Sequence, residues 1–122
     1  MDWVVRFEDE FQREFAALER AVQDEVLAGA RLLAYYGPRL GRPHVDTLKG
    51  AKHANLKELR FDAAGGVWRV AFAFDPNRHA ILLVAGDKAG VNQDRFYDRL
   101  IAQADRRYAA HLRRLTAATK RR

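Results

Sequence analysis

The chain has 122 residues, contains neither cysteine nor serine, and carries a formal net charge of +6. This length fits a single domain that is large enough to bury a core. The missing residue types exclude a disulfide framework, a thiolate metal site and a cysteine or serine nucleophile.

The charges are unevenly distributed along the chain. Residues 1–27 are net acidic, whereas residues 28–61 and 91–122 are net basic. Clustered arginine and lysine favour a polyanionic partner such as nucleic acid, and a well-solvated surface is the alternative interpretation. No stretch approaches the roughly 18 apolar residues of a membrane span, and no signal peptide is recognisable. We therefore expect a cytoplasmic protein with no membrane partner.

The first third of the chain begins with a short β-type run, Trp3–Phe7. From residue 11 to residue 33, apolar side chains recur at three- and four-residue steps, the period of a helix that buries one face. This pattern fits either one long helix or a helical hairpin broken near residues 18–20. It ends at Gly37, which is followed by proline, a typical helix stop.

Residues 39–55 follow and are predicted to form an irregular basic connector. Loops of this length without secondary structure are uncommon and often functional. The basic side chains of this connector either follow a phosphodiester backbone or are ordinary solvated residues. The candidate RNA-binding residues are Arg42, Lys49, Lys52 and His53.

Three consecutive strands are predicted next, at residues 56–61, 67–74 and 80–86, joined by turns rich in Asp, Gly, Pro and Asn. The middle strand alternates: its large apolar side chains point to one face, and Arg69 and two alanines point to the other. The third strand is apolar throughout, which predicts that it is covered on both faces. We expect a curved antiparallel meander with a basic, small-residue surface on one side.

The C-terminal segment has the pattern of an amphipathic basic helix. Asn92 is a favourable N-cap, and an apolar stripe follows from Phe96 to Leu115 while most arginines lie off it. The fold class is therefore α+β, with an N-terminal strand and helical hairpin packed on the meander and a basic C-terminal helix. Residues 1–118 form the domain, and residues 119–122 form a basic tail.

The available chemistry is narrow. The four histidines lack metal-ligand spacing, and neither a paired carboxylate nor a phosphate-binding glycine loop is recognisable. Cations alone suit one reaction on RNA, because the 2′-hydroxyl supplies the nucleophile and the protein need only orient it and stabilise the charge on phosphorus. Arginine matches phosphate oxygens with a bidentate fork, and a crowded lysine can become a base.

Several short motifs occur in a fixed order. They are Leu40-Gly41-Arg42-Pro43, Leu48-Lys49-Gly50, Glu58-Leu59-Arg60, Arg69, and Leu82-Leu83 followed by Lys88. In order and spacing they resemble the RelE/ParE toxin superfamily, and within it the HigB-like, phage-derived branch. The resemblance covers about residues 3–112.

This resemblance implies a RelE-like fold and a toxin that cuts mRNA on the ribosome without a metal or cofactor. It also implies a cognate antitoxin, commonly a helix-turn-helix protein. When the family's site residues are carried over by position, the resemblance implies that Arg69 holds the scissile phosphate. It also implies that Arg60 and Lys88 are further catalytic cations. Lys57 lies where some members carry a base. Tyr97 is the candidate for the aromatic residue that completes such sites.

The chain departs from the family where Lys88 is followed by Ala89-Gly90 rather than by a second lysine and a Thr-Pro turn. Two other hypotheses therefore stay open, a ParE-like inhibitor of DNA gyrase and an inactive nucleic-acid-binding regulator. Arg60 has an alternative as well, since it is also placed to pair with Glu58. The acidic helix face at residues 8–25 and the basic last helix are both candidate antitoxin contacts.

Overall fold

A computed structural model describes residues 2–120. In chain order the elements are β1 (Val4–Phe7), α1 (Asp9–Ala16), α2 (Arg20–Tyr36), a 3-10 turn (Gly37–Arg39), β2 (Val45–Thr47), β3 (Lys57–Ala63), β4 (Gly66–Phe74), β5 (His79–Asp87) and α3 (Gln93–Lys120). The strands form one sheet in the order β1-β5-β4-β3-β2. Only the β1–β5 pair is parallel. Across residues 2–120, none of the helices is both long and apolar enough to cross a membrane.

The N-terminal helical region is a hairpin, one of the two predicted alternatives. The side chain of Glu8 begins α1 by accepting hydrogen bonds from the N–H groups of Glu10 and Phe11, at 2.9 and 3.1 Å. α2 ends at the predicted stop, where Gly37 has a φ of +58°. A Cβ at this position would collide with the indole of Trp3, so the chain requires glycine here.

The middle strand β4 alternates as predicted, but its small-residue face is not an open surface. Val70 and Phe72 pack against α1 and α2 on one side of the sheet. Ala71 and Ala73 are fully buried on the other side, beneath α3. Their short side chains let the helix lie close to the sheet. The predicted basic, small-residue surface is therefore wrong, because α3 covers most of it.

A β-bulge in β5 lets the side chains of this strand pack against both helical layers, the hairpin on one face of the sheet and α3 on the other. Ala71 of β4 pairs with Val84, whereas the next residue, Phe72, pairs with Leu82, so that Leu83 is the extra residue. As a result Leu83 and Val84 both belong to the α3 side of the core. Leu82 packs on the hairpin side. The prediction that this strand is covered on both faces is confirmed.

The connector between α2 and β3 is more regular than predicted. It contains the edge strand β2, which pairs antiparallel with β3. Its second half is tied to α3, because Asp105 accepts hydrogen bonds from the backbone N–H groups of Lys52 and His53, at 2.8 and 3.0 Å. The prediction of an irregular segment is wrong here. The sequence did not reveal this strand, because three residues with one buried side chain are too few to show an alternating pattern.

The last helix α3 begins where predicted. The Asn92 side chain accepts a hydrogen bond from the N–H of Arg95 at 3.1 Å, as an N-cap does. The helix continues to Lys120, so the first two residues of the predicted tail are helical. Residues 121 and 122 of that tail lie outside the described residues.

One arginine of α3 is buried, although most arginines of this helix lie off its apolar stripe. Arg107 is 2% exposed and holds Glu14 of α1 with both terminal nitrogens, at 2.7 and 2.6 Å. The same guanidinium donates to the carbonyl of Leu83 at 2.8 Å, beside the bulge. Arg106 adds a contact of 3.1 Å to Glu10. The acidic α1 and the basic α3 therefore neutralise part of each other's charge.

Replacement of Arg107 by leucine should lower the free energy of unfolding by about 1–3 kcal/mol, because it leaves the buried Leu83 carbonyl without a donor. Urea unfolding measures this difference. The matched control is Arg106→Leu on the same helix, whose exposed ion pair should contribute no more than about 1 kcal/mol. Equal losses in the two variants would contradict the role of Arg107.

Candidate active site

The register of the sheet assembles a polar cluster beneath the first turns of α3. Arg60 of β3 lies directly opposite Arg69 of β4. Glu58 lies two residues before Arg60 and therefore on the same face. Tyr97 reaches this cluster from α3, and Lys88 reaches it from the loop after β5. Four of the five predicted catalytic residues are thus brought together.

Glu58 is the buried centre of this cluster, with 5% of its surface exposed. The hydroxyl of Tyr97 donates to its Oε1 at 2.9 Å. The Nε of Arg69 lies 3.8 Å from the same oxygen. Arg60 does not pair with Glu58, the alternative that the sequence left open. Its Nη1 instead lies 3.7 Å from Oδ2 of Asp46 on β2.

Arg69 is buried and only partly satisfied. Its Nη1 donates to the carbonyl of Trp68 at 2.8 Å. Its Nε is buried and has no hydrogen-bond acceptor within residues 2–120. A buried donor without an acceptor costs roughly 1–3 kcal/mol, and such atoms in native proteins call for an explanation. An anionic ligand that enters the cluster would supply the missing acceptor.

The surroundings shift the acid–base behaviour of three side chains. Burial raises the pKa of Glu58 above its ordinary value, although the Tyr97 hydrogen bond and the Arg69 charge oppose this. Burial, followed by the charge of Arg69, lowers the pKa of Lys88. Burial and the hydrogen bond to Glu58 raise the pKa of Tyr97, which keeps its phenol protonated. A carboxylate with a raised pKa beside an amine with a lowered pKa is typical of an acid–base pair.

The structure does not bring Lys57 to the cluster. Lys57 pairs with Phe72 across the β3–β4 ladder and shares the face that packs toward the helical hairpin. The catalytic position expected for Lys57 is therefore not supported, because adjacent strand residues point to opposite faces.

The predicted RNA-binding residues divide into two groups. Arg42 is exposed and donates to Asp46 at 3.0 Å, which places it beside Arg60 at the rim of the cluster. Lys49 and Lys52 have exposed side chains on the connector. His53 differs from these residues. Its Nδ1 lies 2.8 Å from Asp105, so the ring anchors the connector to α3, and its side chain is 28% exposed.

Sequence reasoning did not place Glu58 among the candidate site residues. The available signal was the i, i+2 spacing of Glu58 and Arg60, which places both side chains on one face of a strand. The sequence alone did not show that Arg69 would lie opposite. Asp46 was missed for a related reason, since β2 itself was not predicted.

Comparison with known proteins shows the family of this chain. Residues 13–109 match the family described as "Phage derived protein Gp49-like". The chain is 49% identical over 96 residues to the toxin-family protein HigB3 of Mycobacterium tuberculosis, covering 79% of this chain and 82% of that protein. It is 46% identical over 96 residues to HigB2 of the same organism, covering 78% of this chain. The chain spans about half the length of HigB2, 47%.

Two solved structures share the fold. A free arginine-substituted mutant of the E. coli toxin RelE superposes with a TM-score of 0.63 at 12% identity, covering 88% of this chain and 98% of that one. RelE in the RelE–RelB complex of Pyrococcus horikoshii gives 0.53 at 19% identity, covering 75% and 100%. At these identities the likeness concerns the fold alone. The family match and the identity to HigB3 show that this chain belongs to the Gp49-like, HigB-type toxin family, and its fold is RelE-like.

Proposed function

We propose that this protein is the toxin of a type II toxin–antitoxin pair and acts as a metal-independent, ribosome-dependent mRNA endonuclease. The observation that carries the proposal is the cluster of Arg69, Arg60 and Lys88 around the buried Glu58. It combines phosphate-binding cations with a carboxylate and an amine whose pKa values are shifted toward each other. Membership of the HigB-type branch supports the same conclusion.

Substrate binding would begin with the scissile phosphate entering between the paired arginines. A phosphate oxygen accepts from the unused Nε of Arg69 and replaces Glu58 as the closest anion to that guanidinium. Arg60 contributes a second guanidinium from the neighbouring strand, so the growing charge on phosphorus meets two cations. Donors that are already fixed in place stabilise such charge without having to reorganise during the reaction.

Release of Glu58 from Arg69 frees its carboxylate to act as the general base. It takes the proton of the 2′-hydroxyl while the 2′ oxygen forms a bond to phosphorus. The bond from phosphorus to the 5′ oxygen breaks, and Lys88 gives its proton to that leaving oxygen. The products are a 2′,3′-cyclic phosphate and a 5′-hydroxyl, and no water is consumed in this step. Tyr97 keeps its proton and orients the Glu58 carboxylate.

The message itself would be positioned by exposed cations at the rim of the cluster. Arg42 lies next to Arg60, and Lys49 and Lys52 project from the connector that Asp105 ties to α3. Contacts of this kind position a nucleic acid without reading its sequence. Selection of the cleavage site is therefore expected to depend on the ribosome that presents the message.

The partner would be a cognate antitoxin, commonly of the helix-turn-helix type in this branch. The Pyrococcus relative was solved as a complex with RelB. That precedent supports a protein partner for this chain. Co-purification with the product of a neighbouring reading frame tests this part of the proposal.

Arg69→Ala should reduce cleavage of ribosome-bound message by about 100-fold or more, the usual cost of losing one preorganised donor. Primer extension on translated message measures the cuts. The matched control is Arg31→Ala, an exposed arginine of α2 on the opposite side of the sheet. Because Arg69 is buried, Arg69→Lys provides a second variant, and thermal unfolding checks that both variants fold. Full cleavage by folded Arg69 variants would contradict the assignment, and growth arrest with intact message would favour the gyrase hypothesis.

The pH dependence of cleavage distinguishes the proposed base, Glu58, from the alternative base, Lys88. With Glu58 as base and Lys88 as acid, the rate should rise with pH through the elevated pKa of Glu58 and fall again at higher pH as Lys88, whose pKa is lowered, loses its proton. Glu58→Gln should lose this rise and about 100-fold or more in rate. Asp46→Asn, which changes a rim carboxylate, should keep the rise. A rise that persists in Glu58→Gln would assign the base to Lys88.

The same carboxylate should reduce the stability of the fold at neutral pH. The folded pKa of Glu58 lies above the ordinary value of 4.5. Between these two values the folded state binds more protons than the unfolded state, so stability falls as pH rises. The Glu58→Gln variant has no ionisable group at this position and therefore does not lose stability in this pH range. Urea unfolding should therefore show similar stability for both proteins below pH 4.5 and a more stable variant at neutral pH. A pH-independent difference would contradict the shift.

A further inference from the structure

Among residues 2–120, no strand pairs with the outer edge of β5 beyond Leu82. β1 pairs only with His79–Leu82, and Arg107 occupies the carbonyl of Leu83. The N–H of Lys88 donates to the carbonyl of Val67, which marks that position as a hydrogen-bonded pair of the β4–β5 ladder. Because such pairs alternate in an antiparallel ladder, the N–H and C=O groups of Ala85 and Asp87 point away from β4.

A groove of about 290 Å³ runs along this free edge. Its lining residues come from β5, the following loop and the first turns of α3: Ala85, Gly86, Asp87, Val91, Phe96, Arg99, Leu100 and Gln103. Gly86 has no side chain to fill the groove, and a Cβ there would lie 2.9 Å from the Phe96 ring. Val91 is 48% exposed at the mouth. We call this feature the β5-edge groove.

The lining of the β5-edge groove carries one cation, Arg99, and one carboxylate, that of Asp87. Arg99 is exposed and forms no ion pair with any residue between 2 and 120. The one carboxylate of the lining, that of Asp87, already accepts hydrogen bonds from the N–H groups of Val67 and Ala89. An acidic group on a ligand would therefore meet Arg99 without a competing partner.

We propose that the β5-edge groove binds an extended acidic segment of the cognate antitoxin, which adds as a strand along β5. This inference rests on the proposed toxin–antitoxin function and locates its partner. The segment pairs its backbone with Ala85 and Asp87, sets an apolar side chain against Val91, and places a carboxylate at Arg99. A peptide strand complements a row of free N–H and C=O groups, which the sugar–phosphate backbone of RNA does not.

The position of the β5-edge groove links binding to inhibition. Asp87 is followed directly by Lys88, and the loop 88–91 lies between the groove and the catalytic cluster. A strand seated on β5 and against Val91 contacts this loop. Binding there holds Lys88 in one arrangement and restricts access of the message to Arg69. Neutralisation then requires no direct contact with the buried Glu58.

The test uses this 122-residue protein co-expressed with the product of the neighbouring reading frame, the candidate antitoxin. Amide exchange in the free protein and in the complex reports on the edge, and Ala85 and Asp87 should become at least about tenfold more protected. Arg99→Glu should weaken binding by about tenfold or more while retaining cleavage of message. The matched control is Arg113→Glu, an exposed arginine near the other end of α3, which should bind as wild type does.

The possible failures are distinguishable. A stable complex in which Ala85 and Asp87 exchange as in the free protein overturns the β5-edge groove and leaves the toxin–antitoxin function standing. A chain that cleaves message but forms no complex overturns the partner, and the groove inference with it. Loss of cleavage in Arg99→Glu with unchanged antitoxin affinity would show that the groove holds RNA instead, which also overturns the inference.

Discussion

The buried contact between Glu58 and Arg69, 3.8 Å apart beneath the first turns of α3, is the constraint on which the proposed site depends. Two charges removed from water are tolerated only when each finds a partner, and this pair is imperfectly satisfied because Arg69 Nε has no acceptor within residues 2–120. The cluster is therefore arranged for an additional anion. An RNA phosphate would complete the coordination of Arg69 and release the carboxylate that the chemistry needs.

The remainder of the scaffold fixes this contact in place. The β3–β4 register sets Arg60 opposite Arg69, and the buried alanines of β4 let α3 approach closely enough for Tyr97 to reach Glu58. In the middle of the helix, Arg107 joins α3 to α1 and to the bulged strand β5. Packing and electrostatics thus position the first half of α3, and α3 in turn closes the site.

Much of this architecture follows from the sequence. A period-2 pattern predicted β4, a continuous apolar run predicted β5, period-3.6 patterns predicted the helices, and Gly37 predicted the end of α2. It was harder to predict which face of the sheet each side chain of β3 occupies, because the mixed pattern of Lys57 and Glu58 does not show which residue points toward α3. A shift of one residue would move every side chain of the strand to the opposite face. The burial of Arg107 was missed because its partner, Glu14, is 93 residues away in sequence. Contacts of that range depend on packing that no local pattern contains.

In the proposed mechanism, this cluster cleaves RNA by activating the 2′-hydroxyl next to the scissile phosphate. The most direct test is a ribosome-bound message that carries a single 2′-deoxynucleotide on the 5′ side of a mapped cleavage site. Primer extension should show that cleavage is lost at that phosphate and retained at unmodified sites in the same message. Continued cleavage at the modified position would contradict the account, because the 2′ oxygen would not then be the nucleophile.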